Sequence, residues 1–121
     1  MKALNIKIGI KSLDQALNDF QNTADKLMEG KAAKKKSGVY FTSVEAFRKA
    51  LTPKRMELLH IIRTKKPESM RNLARIAHRD IKNVSDDVKY LSGLGLLELN
   101  ETGNHIETAV NYDKILLEIS V

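Results

Sequence analysis

Apolar residues recur with helical spacing over two adjacent segments near the middle of the chain. Between residues 70 and 77 they stand at positions i, i+3, i+4 and i+7: Met70, Leu73, Ala74 and Ala77. Between residues 81 and 91 they stand at i, i+3, i+7 and i+10: Ile81, Val84, Val88 and Leu91. We therefore expect two amphipathic helices, each with one narrow buried face. His78 falls in the break between them, and we expect His78 or one of its neighbours to adopt the left-handed backbone of the turn, which histidine tolerates better than most residues.

The other elements are predicted by helix-capping residues and by alternation of apolar and polar positions. Further helices are expected after Ser12, which can form a capping box with Gln15, after Thr42 or Ser43, and after Thr52. These three helices are predicted to end at residues 30, 51 and 66. Strands are predicted over residues 3–10, 39–41, 96–100, 106–111 and 115–121. The last strand is expected to pair with the first, because both are apolar enough to need burial.

The order of these elements predicts an α+β, mainly helical fold. We expect a winged helix-turn-helix domain over residues 39–121, in which the hairpin after the second helix forms the wing. An added N-terminal strand and helix over residues 1–30 would serve packing or dimerisation, a linker would span residues 31–38, and a C-terminal strand would complete the chain. The length of 121 residues fits one domain of ordinary size.

The charge of the chain is unevenly distributed along its length. The net charge is +6, but residues 1–51 and residues 52–95 each carry +5, whereas residues 96–121 carry −4. The basic excess therefore lies on the linker and the helices, and a basic surface of this kind favours a polyanionic partner. The run Lys34-Lys35-Lys36 in the linker is expected to be a solvated connector.

Several kinds of chemistry are not supported by the residues present. The chain has no cysteine, and His60, His78 and His105 have no metal-ligand spacing, so we expect no metal and no cofactor. Gly93 and Gly95 follow a helix and precede a strand, the reverse of a dinucleotide-binding loop. We expect no enzymatic activity. Since no apolar run reaches membrane-spanning length and no signal-peptide pattern occurs, we expect a cytoplasmic protein without membrane contact.

The face of the second helix opposite its apolar stripe is the candidate DNA-reading surface. A recognition helix presents polar side chains to the major groove while its back packs on the core. The side chains expected to face the groove are Lys82, Asn83, Ser85, Asp86 and Lys89. Phosphate contacts are expected from Ser69, Arg71, Asn72 and Arg79, and contacts from the wing turn are expected from Asn104 and His105.

The segments that carry these positions resemble a known family. The sequence from residue 39 to residue 121 is similar to small prokaryotic winged helix-turn-helix proteins. The similarity is strongest at Phe41-Thr42-Ser43 and in the pattern from Arg79 to Lys89. These proteins are described as DNA-binding transcriptional regulators related in fold to the MarR type, and some are antitoxin-like. The resemblance implies binding to double-stranded DNA through residues 80–91 and pairing with a toxin partner.

Two functions remain open from the sequence. The first is a sequence-specific DNA-binding repressor that acts as a homodimer on double-stranded DNA. The second is an antitoxin-like interaction module whose basic face docks an acidic partner or a toxin, with DNA binding secondary. The wing favours the second, because ETGNHIE is acidic at both ends whereas wings that bind DNA usually carry arginine or lysine.

Overall fold

The computed structural model describes residues 4–28 and 38–121, and within these ranges the chain is α+β and mainly helical. The elements are β1 (Asn5–Ile10), α1 (Leu13–Met28), β2 (Gly38–Phe41), α2 (Val44–Ala50), α3 (Pro53–Lys65), α4 (Met70–Ala77), α5 (Ile81–Gly93), β3 (Glu98–Thr102), β4 (His105–Ala109) and β5 (Lys114–Ile119). The predicted helix end at Gly30 and residues 31–37 of the predicted linker lie outside the described residues. Gly38, the last residue of that linker, belongs to β2.

The first four helices begin at capping side chains that the sequence predicts. Ser12 and Gln15 form the reciprocal capping box, with N···O distances of 3.3 and 3.2 Å. The hydroxyls of Ser43, Thr52 and Ser69 each accept a hydrogen bond from a backbone amide in the first turn of α2, α3 and α4. Ser43, rather than its neighbour, therefore caps α2. These starts are fixed locally, by residues within three positions of one another.

Three parallel strands form a sheet in the order β2-β1-β5. The predicted pairing of the terminal strand with the first strand is confirmed: Ile8 lies beside Leu117 in β5 and beside Val39 in β2. β5 ends at Ile119, two residues earlier than predicted. β1 is thus the central strand, and the side chain of Ile8 is fully buried. Residues that the sequence assigns to an N-terminal packing element therefore form part of the main core.

The hydrophobic core joins one face of this sheet to helices α3, α4 and α5. Its largest fully buried side chains are Ile8, Leu58, Ile62, Leu73, Val84, Val88, Leu91 and Leu96. Burial of one such side chain contributes about 1.5–3 kcal/mol relative to leaving it in water. The core therefore fixes α5, which supplies three of these residues, against both of the preceding helices.

The hairpin after α5 pairs β3 with β4 in antiparallel fashion, with Thr102 opposite His105. β3 begins two residues later than predicted, because Leu96 hydrogen-bonds back to the last turn of α5. The Leu96 amide donates to the Leu91 carbonyl over 3.0 Å. Gly95 adopts a left-handed φ of 83°, which lets the chain turn back to make this hydrogen bond. The apolar pair Leu96 and Leu97 is consequently buried under the helix instead of lying in the hairpin.

Two side chains, Tyr112 and Arg63, hold the segment between β4 and β5 against α3 and the residues that follow α5. The Tyr112 hydroxyl donates to the Leu96 carbonyl over 2.7 Å, and burial raises the pKa of this tyrosine to about 12. The Arg63 guanidinium in α3 donates to the Val110 carbonyl and forms an ion pair with Asp113. These contacts fix the point where the chain leaves the hairpin and returns to the sheet.

Helix α1 carries an apolar stripe that no other part of residues 4–28 and 38–121 covers. The side chains of Leu13, Leu17 and Phe20 are spaced as one helical face, and all three are exposed, Phe20 to 74%. No helix in the described ranges is long and apolar enough to cross a bilayer. An exposed apolar stripe of this kind is typical of a surface that contacts another molecule.

Candidate nucleic-acid interface

The connection between α4 and α5 is a tight turn built on His78. This residue adopts the left-handed conformation, with φ 55° and ψ 45°, as predicted. The Arg79 amide then donates to the Ala74 carbonyl over 3.1 Å, which closes the end of α4. One residue further, the Asp80 carboxylate caps α5 by accepting from the Lys82 amide over 3.4 Å. The turn therefore sets the direction in which α5 leaves α4.

Helix α5 has one buried face and one polar, exposed face. Val84, Val88 and Leu91 are fully buried, as the apolar spacing predicts. The prediction for Ile81 is wrong: its side chain is 43% exposed, because it is the first residue of the helix and the buried face begins one turn later. The opposite face presents four exposed side chains and one half-buried side chain: Lys82, Asn83, Asp86 and Lys89, with Ser85 at the edge.

The remaining predicted contact residues lie at the start of α4 and at the tip of the hairpin. Ser69 is half-buried and caps α4, Arg71 is exposed, and Asn72 is half-buried with its side-chain oxygen near the Arg75 guanidinium, 3.4 Å away. Asn104 and His105 are exposed at the tip of the hairpin. Since α4 contacts both α5 and β4, the start of α4, the polar face of α5 and the hairpin belong to one packed unit.

Arg79 differs from the other predicted contact residues because it already has an internal partner. Its Nη2 donates to Asp87 Oδ2 over 2.8 Å, and its side chain is only 18% exposed. Its Nη1 is buried and finds no acceptor within the described part of the chain. The guanidinium therefore points into the structure rather than towards solvent.

Asp87 is the centre of an ion cluster, Arg55–Asp87–Arg79, that sequence reasoning missed. Its second oxygen accepts from Arg55 Nε over 3.0 Å. The same arginine donates from Nη1 to the carbonyls of Lys49 and Ala50, at 3.2 and 2.9 Å, and so caps the end of α2. Its guanidinium also lies 4.1 Å from the centre of the Tyr90 ring, within cation–π range. This one cluster joins α2, α3, the α4–α5 turn and α5.

The sequence offers no local signal for this cluster. Asp86 and Asp87 look alike in the sequence, yet Asp86 is exposed while the Asp87 side chain is only 16% exposed. Burial alone would raise the pKa of Asp87. Hydrogen bonds from Arg79 and Arg55, together with the charges of both guanidiniums, outweigh burial and hold the pKa below its ordinary value.

This depressed pKa predicts a loss of stability in acid. A carboxyl whose folded pKa lies below its unfolded pKa contributes stability that is fully present above the ordinary value of 3.8 and is lost as the pH falls through the folded value. We expect the advantage of the wild type over Asp87→Asn in free energy of unfolding to shrink below about pH 4. Urea unfolding of both proteins over a pH series measures this difference in free energy of unfolding. A difference that stays constant down to the lowest pH at which both proteins fold would contradict the depressed pKa of Asp87.

The hairpin next to α4 has the opposite charge to the helices. Glu98 and Glu101 are exposed, and Glu107 is half-buried with an oxygen 3.8 Å from His105 Nε2. The sequence from residue 90 to residue 113 has no lysine or arginine. Within residues 4–28 and 38–121, no cluster of three or more histidine, aspartate or glutamate side chains could hold a metal ion.

Comparison with known proteins assigns the chain to a family. Residues 50–117 match the HVO_A0114 family, and because this match covers more than half of the 121 residues, the chain belongs to that family. The matched region runs from the last residue of α2 into β5 and contains all members of the Arg55–Asp87–Arg79 cluster. No curated protein matches the chain.

Proposed function

We propose that the chain is a winged helix-turn-helix protein of the MarR type that binds double-stranded DNA sequence-specifically and regulates transcription, as a repressor and a homodimer. The observation that carries this proposal is that α5 has one buried apolar face and one exposed polar face. One face is fully buried at Val84, Val88 and Leu91, and the opposite face exposes two lysines with hydrogen-bonding side chains between them. A helix fixed in this way can enter a major groove while its core packing stays intact.

The exposed side chains on the polar face of α5 suit contacts that DNA offers. The amide of Asn83 can hydrogen-bond an adenine edge, and the carboxylate of Asp86 can accept from cytosine N4. Lys82 and Lys89 suit phosphates or guanine. At the start of α4, Ser69 and Arg71 lie beside the first backbone amides of the helix, a position that attracts phosphate.

In this proposal Arg79 does not contact phosphate, although the sequence predicts that it does. Its ion pair with Asp87 favours a positioning role, in which the guanidinium fixes the angle between α4 and α5 instead of contacting phosphate. Arg55 supports the same angle from α3. The contacts of α5 with DNA would then depend on a cluster that does not itself contact DNA.

A homodimer is favoured by apolar side chains that remain exposed. Leu17 and Phe20 on α1, and Leu116 and Ile119 on β5, are each about half exposed or more. A symmetric pair that covers such surfaces would carry two α5 helices, and half-sites one turn of DNA apart lie ~34 Å from each other.

A salt series tests DNA binding. Each phosphate neutralised contributes about −0.9 to the slope of log K against log salt, so a dimer with several basic contacts per half should give roughly −4 or steeper. Lys82→Ala and Lys89→Ala should make the slope shallower by about 1 for each phosphate that the variant no longer neutralises. Mobility shift or fluorescence anisotropy on DNA upstream of the gene measures both quantities.

Lys65→Ala provides the matched control, because Lys65 is an exposed lysine at the end of α3, outside α4 and α5. It should leave the slope unchanged. A slope near zero would contradict the placement of α5 in DNA, and so would wild-type slope, affinity and base preference in both Lys82→Ala and Lys89→Ala.

The acidic hairpin favours a second candidate function. With Glu98 and Glu101 exposed beside the helices, the hairpin would repel phosphate if it reached the DNA backbone. In this alternative the basic face of α4 and α5 docks an acidic protein partner, such as a toxin, and DNA binding is secondary. Replacing both carboxylates, by Glu98→Gln together with Glu101→Gln, should strengthen DNA binding if the hairpin approaches DNA. If the helices instead dock an acidic partner beside the hairpin, the same change should strengthen binding of that partner and leave DNA binding unchanged.

A further inference from the structure

The outer edge of β5 is an open edge of the parallel sheet. β5 follows β1 in the strand order, and within the described residues no strand pairs with its other side. Such an edge presents unpaired backbone amides and carbonyls that can pair with another strand. The edge is six residues long, contains no proline, and carries the half-exposed side chains of Leu116, Leu117 and Ile119. It therefore lacks most of the features that keep edge strands from pairing.

The sequence of β5 is complementary to itself in one antiparallel register. If a two-fold axis passes through Leu116, Lys114 lies opposite Glu118 of a second copy, and Ile115 lies opposite Leu117 of that copy. Opposite charges then face each other twice, and apolar residues face apolar residues. An axis through Leu117 would instead place Leu116 opposite Glu118, and an axis between residues 116 and 117 would place Lys114 opposite Ile119.

We propose that β5 pairs with β5 of a second copy of this chain in the register centred on Leu116. The result is a continuous six-stranded sheet in the order β2-β1-β5-β5-β1-β2. The proposal rests on the homodimer of the proposed function, but it does not depend on DNA binding.

The surrounding side chains fit this arrangement. On one face, Leu117 and Ile119 lie beside Ile8 and Ile10, whose own side chains are buried, so the apolar surface continues to the edge. On the other face, Lys7 forms an ion pair of 2.7 Å with Glu118. In the paired sheet Glu118 would lie between Lys7 of its own copy and Lys114 of the second copy. A self-complementary charge pattern specifies a second copy rather than an unrelated strand.

Cysteine cross-linking tests the register, because the natural chain contains no cysteine. Residue 116 faces its own copy in the proposed register, and directly opposed residues of antiparallel strands have Cα atoms about 4.5–5.5 Å apart, within the range of a disulfide. Leu116→Cys should therefore form a covalent dimer in high yield under mild oxidation, seen on a non-reducing gel. The side chain of Leu116 is 48% exposed, so the substitution leaves the core intact.

Two further variants serve as register controls. In the proposed pairing, residue 114 is about 14 Å from residue 114 of the other copy, and the same holds for residue 118. Lys114→Cys and Glu118→Cys should each remain monomeric on the gel when oxidised alone. The two variants are then mixed in equal amounts and left to exchange subunits before oxidation. This mixture should give a covalent dimer that contains one copy of each variant. If subunits exchange at random, with no preference between partners, up to about half of the chains should become cross-linked.

Sedimentation of the natural protein separates the possible failures. If the natural protein is a dimer in solution but the Leu116→Cys variant does not cross-link, the β5 pairing is overturned and the homodimer is still supported. A monomer at all concentrations would overturn both. Cross-linking of Lys114→Cys or Glu118→Cys alone would overturn the register. The DNA titration is a separate measurement, so loss of DNA binding alone leaves the β5 pairing supported.

Discussion

Val84→Asp is expected to unfold the domain. The side chain of Val84 is fully buried near the start of α5 and belongs to the main hydrophobic core. An aspartate there would place a carboxyl group among apolar side chains without a partner, and a group in that position costs several kcal/mol whether it is ionised or protonated. We expect a loss of about 4 kcal/mol or more, against a total stability of roughly 5–15 kcal/mol for an ordinary domain.

Asn83→Asp is the matched control for this substitution. It introduces the same residue at the adjacent position, but Asn83 is exposed on the polar face of α5. Its effect on the free energy of unfolding should stay within about 0.5 kcal/mol. Circular dichroism with urea unfolding measures both variants, and a folded, cooperative Val84→Asp protein of near wild-type stability would show that the core is placed wrongly.

Asp87→Ala is expected to have the second largest effect. It removes the acceptor of both Arg55 and Arg79, whose side chains are only 21% and 18% exposed. Two guanidiniums would then share a mostly buried space without a counter-charge. Loss of one partner from a buried ion pair typically costs 3–5 kcal/mol; because this cluster is partly exposed, we expect about 3 kcal/mol. The higher helix propensity of alanine offsets only a few tenths of a kcal/mol.

Asp86→Ala tests whether this cost arises from the cluster or from the loss of any aspartate in α5. Asp86 is the adjacent residue, with the same side chain, and it is exposed. We expect it to change stability by no more than about 0.5 kcal/mol. In the proposed function it should instead change the base preference at one position by about 1–3 kcal/mol. Equal destabilisation by both alanine variants would contradict the assigned role of Asp87.

The sequence predicts the helices and strands well because their signals are local. The capping of α1 by Ser12 and Gln15, the left-handed turn at His78 and the buried face of α5 each depend on residues a few positions apart. Predicted boundaries are less accurate where a distant contact decides them. β3 starts later than predicted because Leu96 closes the end of α5 and packs into the core.

The part of the candidate site that sequence reasoning missed depends on long-range contacts. Arg55 and Asp87 are 32 positions apart, and no periodicity connects them. In the sequence, Arg79 resembles a phosphate-binding residue because it follows a tight turn and carries a positive charge. Only the three-dimensional arrangement shows that its charge is already compensated by Asp87. Similarly, alternation predicts that β1 and β5 are strands, but it does not place β1 between β2 and β5.

The position of β1 also has a consequence for the order in which the molecule folds during synthesis. Asn5 lies beside Lys114, 109 positions further along the chain, whereas the segment from α3 to β4 is continuous. Contacts between distant residues form slowly, because the intervening chain must first be confined. The helices and the hairpin can thus assemble on the ribosome while β1 has only β2 as a neighbour. β1 gains its second neighbour only after residue 119 has been translated, so completion of the sheet follows assembly of the helices and the hairpin.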